Sequence, residues 1–247
     1  MQQIQNEIHT AIFDFDNTLF DTEKLKKVLR EIVMKYGTTE REATEVYKKA
    51  LSEGDTNTFS ISHFFGVLQH EMRSQGVEIP DAELQIVRGR IVESARALEG
   101  AQALLEECKQ KKYNMYLLSL GVPEWQREKL ELSGFKDYFS DDNIMYTRAI
   151  SQGKVEALQE RFGADFTGSG VMLFNDKPDE TGALLSAFPD LQVRLRFDEE
   201  DKRYREDHFT ALAKDFPGRV SWSRDLSDFT RELRKERAYE ITDSQKY

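Results

Sequence analysis

Three scarcities in this 247-residue sequence each exclude a class of protein. The chain has one cysteine, Cys108, which excludes an intramolecular disulfide framework and makes a reducing, cytoplasmic location the expected one. No apolar run approaches the roughly 20 residues that cross a bilayer. The first ten residues are polar and lack the apolar segment of a signal peptide. We therefore expect no association with a membrane.

Clusters of basic residues are also scarce, which bears on the binding partner. The sequence has 45 acidic and 35 basic residues, giving a formal net charge of −10. Such a surface repels a phosphate backbone unless basic residues are gathered locally, and basic runs such as residues 109–112 are short. We therefore expect no nucleic-acid polymer as a partner. The sequence leaves the oligomeric state open.

The spacing of apolar residues divides the chain into two parts. Between residues 21 and 98 they recur at helical spacing, whereas after Gly100 short apolar runs alternate with helical segments. A first apolar run, rich in β-branched and aromatic residues, lies at 8–15. Strands separated by helices indicate a mostly parallel sheet with right-handed crossovers. We therefore predict an α/β fold with a Rossmann-like parallel sheet core, residues 1–20 and 99–247, and an inserted all-helical domain, residues 21–98.

The same patterns give the approximate position of each element. The predicted helices of the insertion lie near 22–36, 39–53, 60–75 and 81–97. The predicted strands lie at 8–15, 113–118, 144–146, 171–174, 191–195 and 220–222, and the predicted core helices lie near 101–111, 123–133, 153–162, 179–187 and 225–237. The acidic run 198–201, followed by Lys202 and Arg203, indicates a solvated loop.

Polar residues follow three of the predicted strands directly. The first strand leads into Asp-Phe-Asp-Asn-Thr at 14–18, the second into Ser-Leu-Gly at 119–121, and the fourth into Asn-Asp-Lys-Pro-Asp-Glu at 175–180. Between the last two, Gly-Lys at 153–154 opens a helix. Because ligands of parallel α/β sheets bind beyond the carboxyl ends of the strands, we expect these carboxylates, the serine hydroxyl and the lysine to meet at one rim.

These four motifs, in this order, resemble those of the haloacid dehalogenase-like (HAD) hydrolase superfamily, whose DxDxT signature is matched by residues 14–18. The resemblance covers nearly the whole chain, and the insertion at 21–98 resembles the helical cap of the family's subfamily I. It implies a Mg²⁺-dependent phosphatase acting on a small phosphorylated metabolite. The chain departs from the family's common Gly-Asp opening at Asn175, which places a side chain beside the expected metal site.

The resemblance also implies a role for each motif. Asp14 would attack phosphorus to form an aspartyl-phosphate, and Asp16 would act as general acid and base. Ser119 and Lys154 would hold the transferring phosphoryl oxygens. The implied catalytic residues are Asp14, Asp16, Ser119 and Lys154; the implied substrate-binding residues are Thr18, Ser119, Leu120, Gly121 and Lys154; and the implied Mg²⁺ ligands are Asp14, Asp16 through its carbonyl, Asp176 and Glu180.

Each of these residues also has a purely structural interpretation. Ser119 could cap the following helix, and Lys154 could be solvated in a first helical turn. Lys177 is then the other candidate for the lysine that holds the phosphoryl oxygens. We favour Lys154 because Lys177 lies beside the expected metal-binding loop rather than at the start of a helix. Asp179 and Glu180 both suit a first helical turn. The sequence leaves open which of them supports the metal, and we rank Glu180 first for its spacing from the preceding acid.

Asp16 narrows the reaction type under the same resemblance. Members that displace halide, cleave carbon–phosphorus bonds or pump ions generally lack this second carboxylate, so phosphate ester hydrolysis or phosphoryl mutase chemistry is favoured. A catalytically silent binding protein of the same fold is a further alternative. A receiver-type signalling module would carry its acceptor aspartate on a middle strand, and a sugar-transferring enzyme would place DxD after a nucleotide-binding segment. The insertion carries no motif that identifies the substrate.

Overall fold

A six-stranded parallel sheet forms the centre of the fold. The computed structural model describes residues 7–52, 59–147 and 153–244. The strands are β1 (Thr10–Phe13), β2 (Asn114–Leu120), β3 (Ile144–Thr147), β4 (Val171–Asn175), β5 (Gln192–Arg196) and β6 (Val220–Ser223). Their order is β3-β2-β1-β4-β5-β6, and every neighbouring pair is parallel. The predicted α/β class and parallel sheet are confirmed.

The register of the sheet determines which motifs meet. Phe13 at the end of β1 pairs with Leu117 on one side and Phe174 on the other. Residues 14 and 175 therefore follow at the same level, and Ser119 lies one residue beyond that level on β2. This register brings the polar segments after β1, β2 and β4 to one rim of the sheet.

The all-helical insertion follows β1, as the spacing predicted. It contains α1 (Thr22–Met34), α2 (Glu40–Ser52), α3 (Ile61–Ser74) and α4 (Asp81–Ser94). Asp21 caps α1 by accepting a hydrogen bond from the amide of Lys24, and the apolar side of α1 is buried. The chain leaves and re-enters the core through adjacent segments, because the amide of Asp21 donates to Arg96 and that of Leu98 donates to Leu19, at 3.0 and 2.8 Å.

In the described part of the core, the sheet is flanked by the helices α5 (Ala101–Gln110), α6 (Pro123–Leu132), α7 (Lys154–Phe162), α8 (Pro178–Ala187), α9 (Glu206–Asp215) and α10 (Leu226–Ser244). Alternate residues of β1 point to opposite faces. Phe13 packs in one apolar cluster with α5 and α10, and Ile12 packs in another with α7 and α8. The first cluster continues into the insertion, so the core and the insertion share apolar contacts.

Helix α9 and the loop before it differ from the sequence prediction. No helix was predicted there, although Phe209 and Leu212 lie at helical spacing and pack against the second apolar cluster. The expected solvated run is also only partly solvated, since Asp201 is buried and accepts hydrogen bonds from Arg203. Helix α4 ends earlier than predicted because Ala97 pairs with the segment before α1. Within the described residues, no helix combines the length and the apolarity needed to cross a membrane.

Candidate active site

The loop after β1 is short and held by its own backbone. The amide of Asp14 donates to the carbonyl of Phe174 at 2.9 Å, which extends the contact between β1 and β4 by one residue. Asn17 has a φ of 59°, in the left-handed region that asparagine tolerates, and the amide of Phe20 donates to the carbonyl of Phe15 at 3.0 Å. This turn fixes the two acidic side chains of the loop at the rim of the sheet.

Asp14 is buried and bonded to a buried lysine. The ammonium of Lys154, the first residue of α7, lies 2.6 Å from Asp14 Oδ1, and the hydroxyl of Thr18 donates to Asp14 Oδ2 at 3.2 Å. Burial alone would lower the pKa of Lys154, but the negative charges of Asp14 and Glu180 raise it above its ordinary value. Lys154 therefore remains cationic beside Asp14.

Asn175 supports this lysine from the end of β4. Its side-chain oxygen accepts from Lys154 Nζ at 2.9 Å, and its side-chain nitrogen donates to Thr181 Oγ1 at 2.9 Å. Lys154 also lies 2.8 Å from Glu180 Oε2. The residue that departs from the expected Gly-Asp opening is thus fully buried and fixes the lysine that contacts Asp14.

Asp176 provides the observation that bears on a metal. It is buried, and its Oδ1 has no hydrogen-bond partner in the described part of the chain. Burial, together with the charge of Asp14, raises the pKa of Asp176 to about 7. Two buried carboxylates, one with an unpartnered oxygen, form a donor set that a hard cation such as Mg²⁺ satisfies.

The carboxylates alone do not complete a coordination shell. Among the described residues, no three His, Cys, Asp or Glu side chains converge as a metal-binding group. Mg²⁺ usually retains water and takes one or two protein carboxylates plus substrate oxygens. The residues present therefore fit Mg²⁺ if Asp16 contributes its backbone carbonyl, as the sequence resemblance implies.

The remaining residues of the loop after β4 have separate partners. Glu180 bonds Lys154, whereas Asp179 accepts from the hydroxyl of Tyr204 at 2.7 Å. Lys177 is near the acidic groups: burial alone would lower its pKa, but the charges of Asp14, Glu180 and Asp176 raise it. The geometry gives the direct contact with Asp14 to Lys154, and it leaves Asp179 turned toward the loop before α9.

Asp16 has a different set of partners. Its Oδ1 accepts from Thr22 Oγ1 at 2.6 Å and from Lys129 Nζ at 2.5 Å, and its Oδ2 accepts from Gln126 Nε2 at 3.2 Å. Burial alone would raise the pKa of Asp16, but the charge of Lys129 and the three hydrogen bonds lower it to about 2. Asp16 is therefore ionised in this structure.

The segment at the end of β2 supplies the hydroxyl of Ser119, and its glycine, Gly121, packs closely against the side chain of Gln126. Ser119 is buried, and its Oγ has no hydrogen-bond partner in the described regions, so the hydroxyl is available at the rim. The carbonyl of Leu120 accepts from Gln126 Nε2 at 2.8 Å. A Cβ on Gly121 would lie 2.2 Å from that nitrogen, and therefore only glycine lets the Gln126 amide lie here.

Several residues of the site are missing from the sequence prediction. Gln126 and Lys129 lie three residues apart on the helix after the Ser-Leu-Gly motif, so one helical face carries both to the rim, and this spacing was the available signal. Arg196, at the end of β5, donates to the carbonyl of Asn17 at 2.8 Å. This contact joins residues 179 positions apart in the sequence, and no local pattern indicates it.

A cavity of about 140 Å³ lies between Asp16 and the insertion. Its apolar wall includes Tyr47 and Phe59 from the insertion and Trp125 from α6, with the rings of Phe59 and Trp125 5.5 Å apart. The lining residues are Asp16, Thr22, Leu25, Lys26, Leu29, Tyr47, Leu51, Phe59, Leu120, Gly121, Trp125, Gln126 and Lys129. The insertion thus forms one side of a small cavity whose other side carries Asp16.

Solved structures with the same fold cover nearly the whole chain. YfnB from Bacillus subtilis, bound to magnesium, is 18% identical with a TM-score of 0.56, over 92% of this chain and 99% of that one. A haloacid dehalogenase-like family hydrolase from Xanthomonas campestris is 13% identical with a TM-score of 0.61, over 100% and 98%. L-2-haloacid dehalogenase from Xanthobacter autotrophicus is 13% identical with a TM-score of 0.53, over 92% and 98%. At these identities the likeness shows the fold alone.

The sequence itself matches a family model. No curated protein matches the chain. The model described as haloacid dehalogenase-like hydrolase matches residues 8–187, which include all four motifs and the helical insertion. This match covers well over half of the 247 residues. The chain therefore belongs to the haloacid dehalogenase-like hydrolases.

Proposed function

We propose that this chain is a Mg²⁺-dependent phosphatase that hydrolyses a small phosphorylated metabolite through an aspartyl-phosphate intermediate on Asp14. The observation that carries the proposal is the contact between buried Asp14 and Lys154, with a second carboxylate, Asp16, beside a cavity of small-molecule size. A carboxylate beside a fixed cation is suited to attack a phosphoryl group whose own charge must be neutralised.

The binding of the phosphoryl group follows from the same contacts. Lys154 and the unpartnered hydroxyl of Ser119 would donate to the phosphoryl oxygens, together with the loop groups of Thr18, Leu120 and Gly121. The side chains of Asp14 and Asp176 and the carbonyl of Asp16 would hold Mg²⁺, with Glu180 in support. When bound, the metal neutralises the charge that would otherwise repel the phosphate from the carboxylates.

Two proton transfers through Asp16 complete the reaction. A carboxylate oxygen of Asp14 attacks phosphorus, the ester oxygen leaves, and Asp16 donates a proton to it. Asp16 then accepts a proton from the water that attacks the aspartyl-phosphate, which regenerates Asp14 and releases phosphate. Asp16 is ionised without substrate, and a bound phosphate dianion, a like charge, raises its pKa toward the value that an acid needs.

Asp16 also favours phosphoryl transfer over halide displacement. Displacement of halide yields a leaving group that needs no proton, so a second carboxylate held at the cavity would have no acid role in that reaction, whereas an ester oxygen needs a proton donor. A phosphoryl mutase would use the same pair of aspartates. The two reactions differ in whether phosphate reaches water or a second hydroxyl.

In this proposal the α/β core and the helical insertion have different roles. We assign the chemistry to residues 1–20 and 99–247, because these carry all four motifs. We assign substrate selection to the cap, residues 21–98, because Tyr47 and Phe59 face the cavity beside Asp16.

A screen against phosphorylated metabolites, with and without Mg²⁺, tests the proposal. Wild type should release phosphate from some members of the panel when Mg²⁺ is present, and Asp14→Asn should be at least roughly 10⁴-fold slower, because an amide cannot form the aspartyl-phosphate. Transfer of phosphate to a second substrate hydroxyl would instead indicate a mutase. Equal turnover by wild type and Asp14→Asn, or none by either, would refute the proposal.

A further inference from the structure

The carboxylate of Asp16 is held from two sides. Thr22, in the first turn of the insertion, donates to Oδ1 at 2.6 Å. From the core, Lys129 donates to the same oxygen at 2.5 Å, and Gln126 donates to Oδ2 at 3.2 Å. We call Gln126 and Lys129 the α6 clamp. Together the three donors fix both oxygens of a side chain that would otherwise rotate freely about its two torsions.

The backbone before α6 orients Gln126 and leaves room for its side-chain amide. Only Val122 separates the Ser-Leu-Gly motif from Pro123, where α6 begins, and both clamp residues on this helix reach Asp16 at the rim. The amide nitrogen of Gln126 is oriented by a second bond, to the carbonyl of Leu120 at 2.8 Å. Any side chain at Gly121 would collide with this amide, since a Cβ would lie 2.2 Å from it.

The burial of Lys129 argues that the clamp serves more than stability. Its side chain is 3% exposed, and the ammonium lies 5.2 and 5.0 Å from the ring centroids of Phe15 and Phe20. Removing an ammonium from water is costly, and apolar replacements of buried ion pairs are often equally stable. The partner, Asp16, keeps a third of its side chain exposed to the cavity. The buried cation thus supports a carboxylate that is open to a ligand.

We propose that Gln126 and Lys129 are positioning residues, which hold the carboxylate of Asp16 in line with the phosphoryl group on Asp14. This inference rests on the proposed function. A general base must lie within hydrogen-bond distance of its water, and a misplacement of about 1 Å costs on the order of 100-fold in rate. Lys129, which contacts Asp16, would act through that carboxylate, whereas Lys154, which contacts Asp14, would bind the phosphoryl group.

A double-mutant cycle tests the proposal with p-nitrophenyl phosphate as the probe. In single turnovers, phenolate release reports formation of the aspartyl-phosphate, and later phosphate release reports its hydrolysis. Lys129→Met should keep phenolate release near the wild-type rate, because this leaving group needs no acid, and should slow hydrolysis by roughly 10–100-fold. In an Asp16→Asn background, Lys129→Met should add less than about threefold, because Lys129 then has no carboxylate to position.

Matched variants separate positioning from folding. Glu128→Gln on the same helix removes an ion pair to Arg88 of α4 without touching Asp16, and it should leave hydrolysis unchanged. Lys129→Arg retains a cationic donor and should retain more activity than Lys129→Met. Equal losses from Lys129→Met in both backgrounds would overturn the proposal, as would normal hydrolysis in the single variant.

A second route covers the case in which Lys129→Met does not fold. Gln126→Leu removes the donor to Asp16 Oδ2, and it should slow hydrolysis in wild type but not in the Asp16→Asn background. Unchanged hydrolysis in Gln126→Leu would then refute the clamp. A wild type that releases no phenolate in an Asp14-dependent manner would refute the proposed function and the clamp together. If wild type releases phenolate in an Asp14-dependent manner, but Lys129→Met slows hydrolysis equally with and without Asp16→Asn, the clamp alone would be refuted.

Discussion

Two aspartates, two positions apart, each pair with a buried lysine, and their surroundings differ. Asp14 is 4% exposed and meets Lys154, whereas Asp16 is a third exposed at the side chain and meets Lys129. The partners of Asp14 come from core elements alone, while Thr22 ties Asp16 to the insertion. The first environment is closed and dense in charge, and the second opens onto a cavity with an aromatic wall.

Under the proposed function, this difference assigns each part of the substrate to one end of the site. The charged end would bind the phosphate, which is the same in every substrate and needs no contribution from the insertion. The open end would bind the part that varies. Asp16 lies at the boundary between the two ends, where the proposed reaction delivers a proton to the ester oxygen. Variants on either side of this boundary should therefore fail in different ways.

The largest expected effect in this comparison comes from Asp16→Asn. Loss of the acid should slow aspartyl-phosphate formation from an alkyl phosphate by roughly 10²–10⁴-fold, and much less for p-nitrophenyl phosphate, whose leaving group needs no proton. Hydrolysis of the aspartyl-phosphate should be slow for both substrates. Single-turnover rates check this with the alkyl phosphate that scores best in the metabolite screen. Equal losses of the formation rate for the two substrates would contradict the acid role.

At the charged end, three acids should differ in their effect on the metal. Asp176→Ala should abolish Mg²⁺ activation, because it removes the buried carboxylate with the unpartnered oxygen. Glu180→Ala should raise the Mg²⁺ requirement by roughly 10–100-fold, as expected of a supporting residue. Asp179→Ala should change it least, because its carboxylate is turned to Tyr204.

Mg²⁺ titrations of activity decide this order. A larger defect in Asp179→Ala than in Glu180→Ala would reverse the assignment of the supporting acid. Near-normal Mg²⁺ activation in Asp176→Ala would remove Asp176 from the metal site.

The two aspartates also show what a sequence can predict. Local spacing was enough for the four helices of the insertion and for the sheet, and β1 ends one residue before Asp14. Asp14 and Lys154 are 140 positions apart, and their meeting at one rim was expected from the parallel sheet and the family resemblance, whereas the direct bond between them was not predicted. That prediction named the residues, and the structure adds their distances.

The partners of Asp16 were missed because they depend on packing. Lys129 lies on a helix where a lysine is ordinarily solvated, and its burial follows from the rings of Phe15, Phe20 and Trp125 that surround it. Asn175 was noted as a departure from the family pattern, but its bond to Lys154 depends on how α7 packs beside β3 and α8. Such contacts depend on tertiary structure, which no periodicity encodes.

A smaller effect concerns the pH dependence of the metal-free protein. The pKa of Asp176 is raised from 3.8 to about 7, so in this range the folded state binds a proton that the unfolded state has released. Stability therefore falls as pH rises through this window. Asp176→Asn removes the titrating group. In EDTA, the melting temperature of Asp176→Asn minus that of wild type should therefore increase as the pH is raised from 5 to 8. A constant difference between the two proteins would contradict the raised pKa.

The smallest expected effect lies at the open end, in the aromatic wall. Phe59→Ala removes a ring that lies 5.5 Å from Trp125 and 6.4 Å from Tyr47, and it touches neither Asp14 nor Asp16. An aromatic contact contributes about 0.5–1.5 kcal/mol, so KM for p-nitrophenyl phosphate should rise roughly 2–10-fold. Because the chemistry is done by other residues, kcat should stay within about twofold.

Phe65→Ala is the matched control for this substitution. It removes the same ring from the same insertion, but Phe65 packs against Phe64 and does not line the cavity, so KM should stay near the wild-type value. A rise of KM in both variants would mean that the insertion was loosened as a whole. A fall of kcat with unchanged KM in Phe59→Ala would mean that the ring acts on the chemical step. Either outcome would contradict a division in which the core performs the reaction and the insertion selects the substrate.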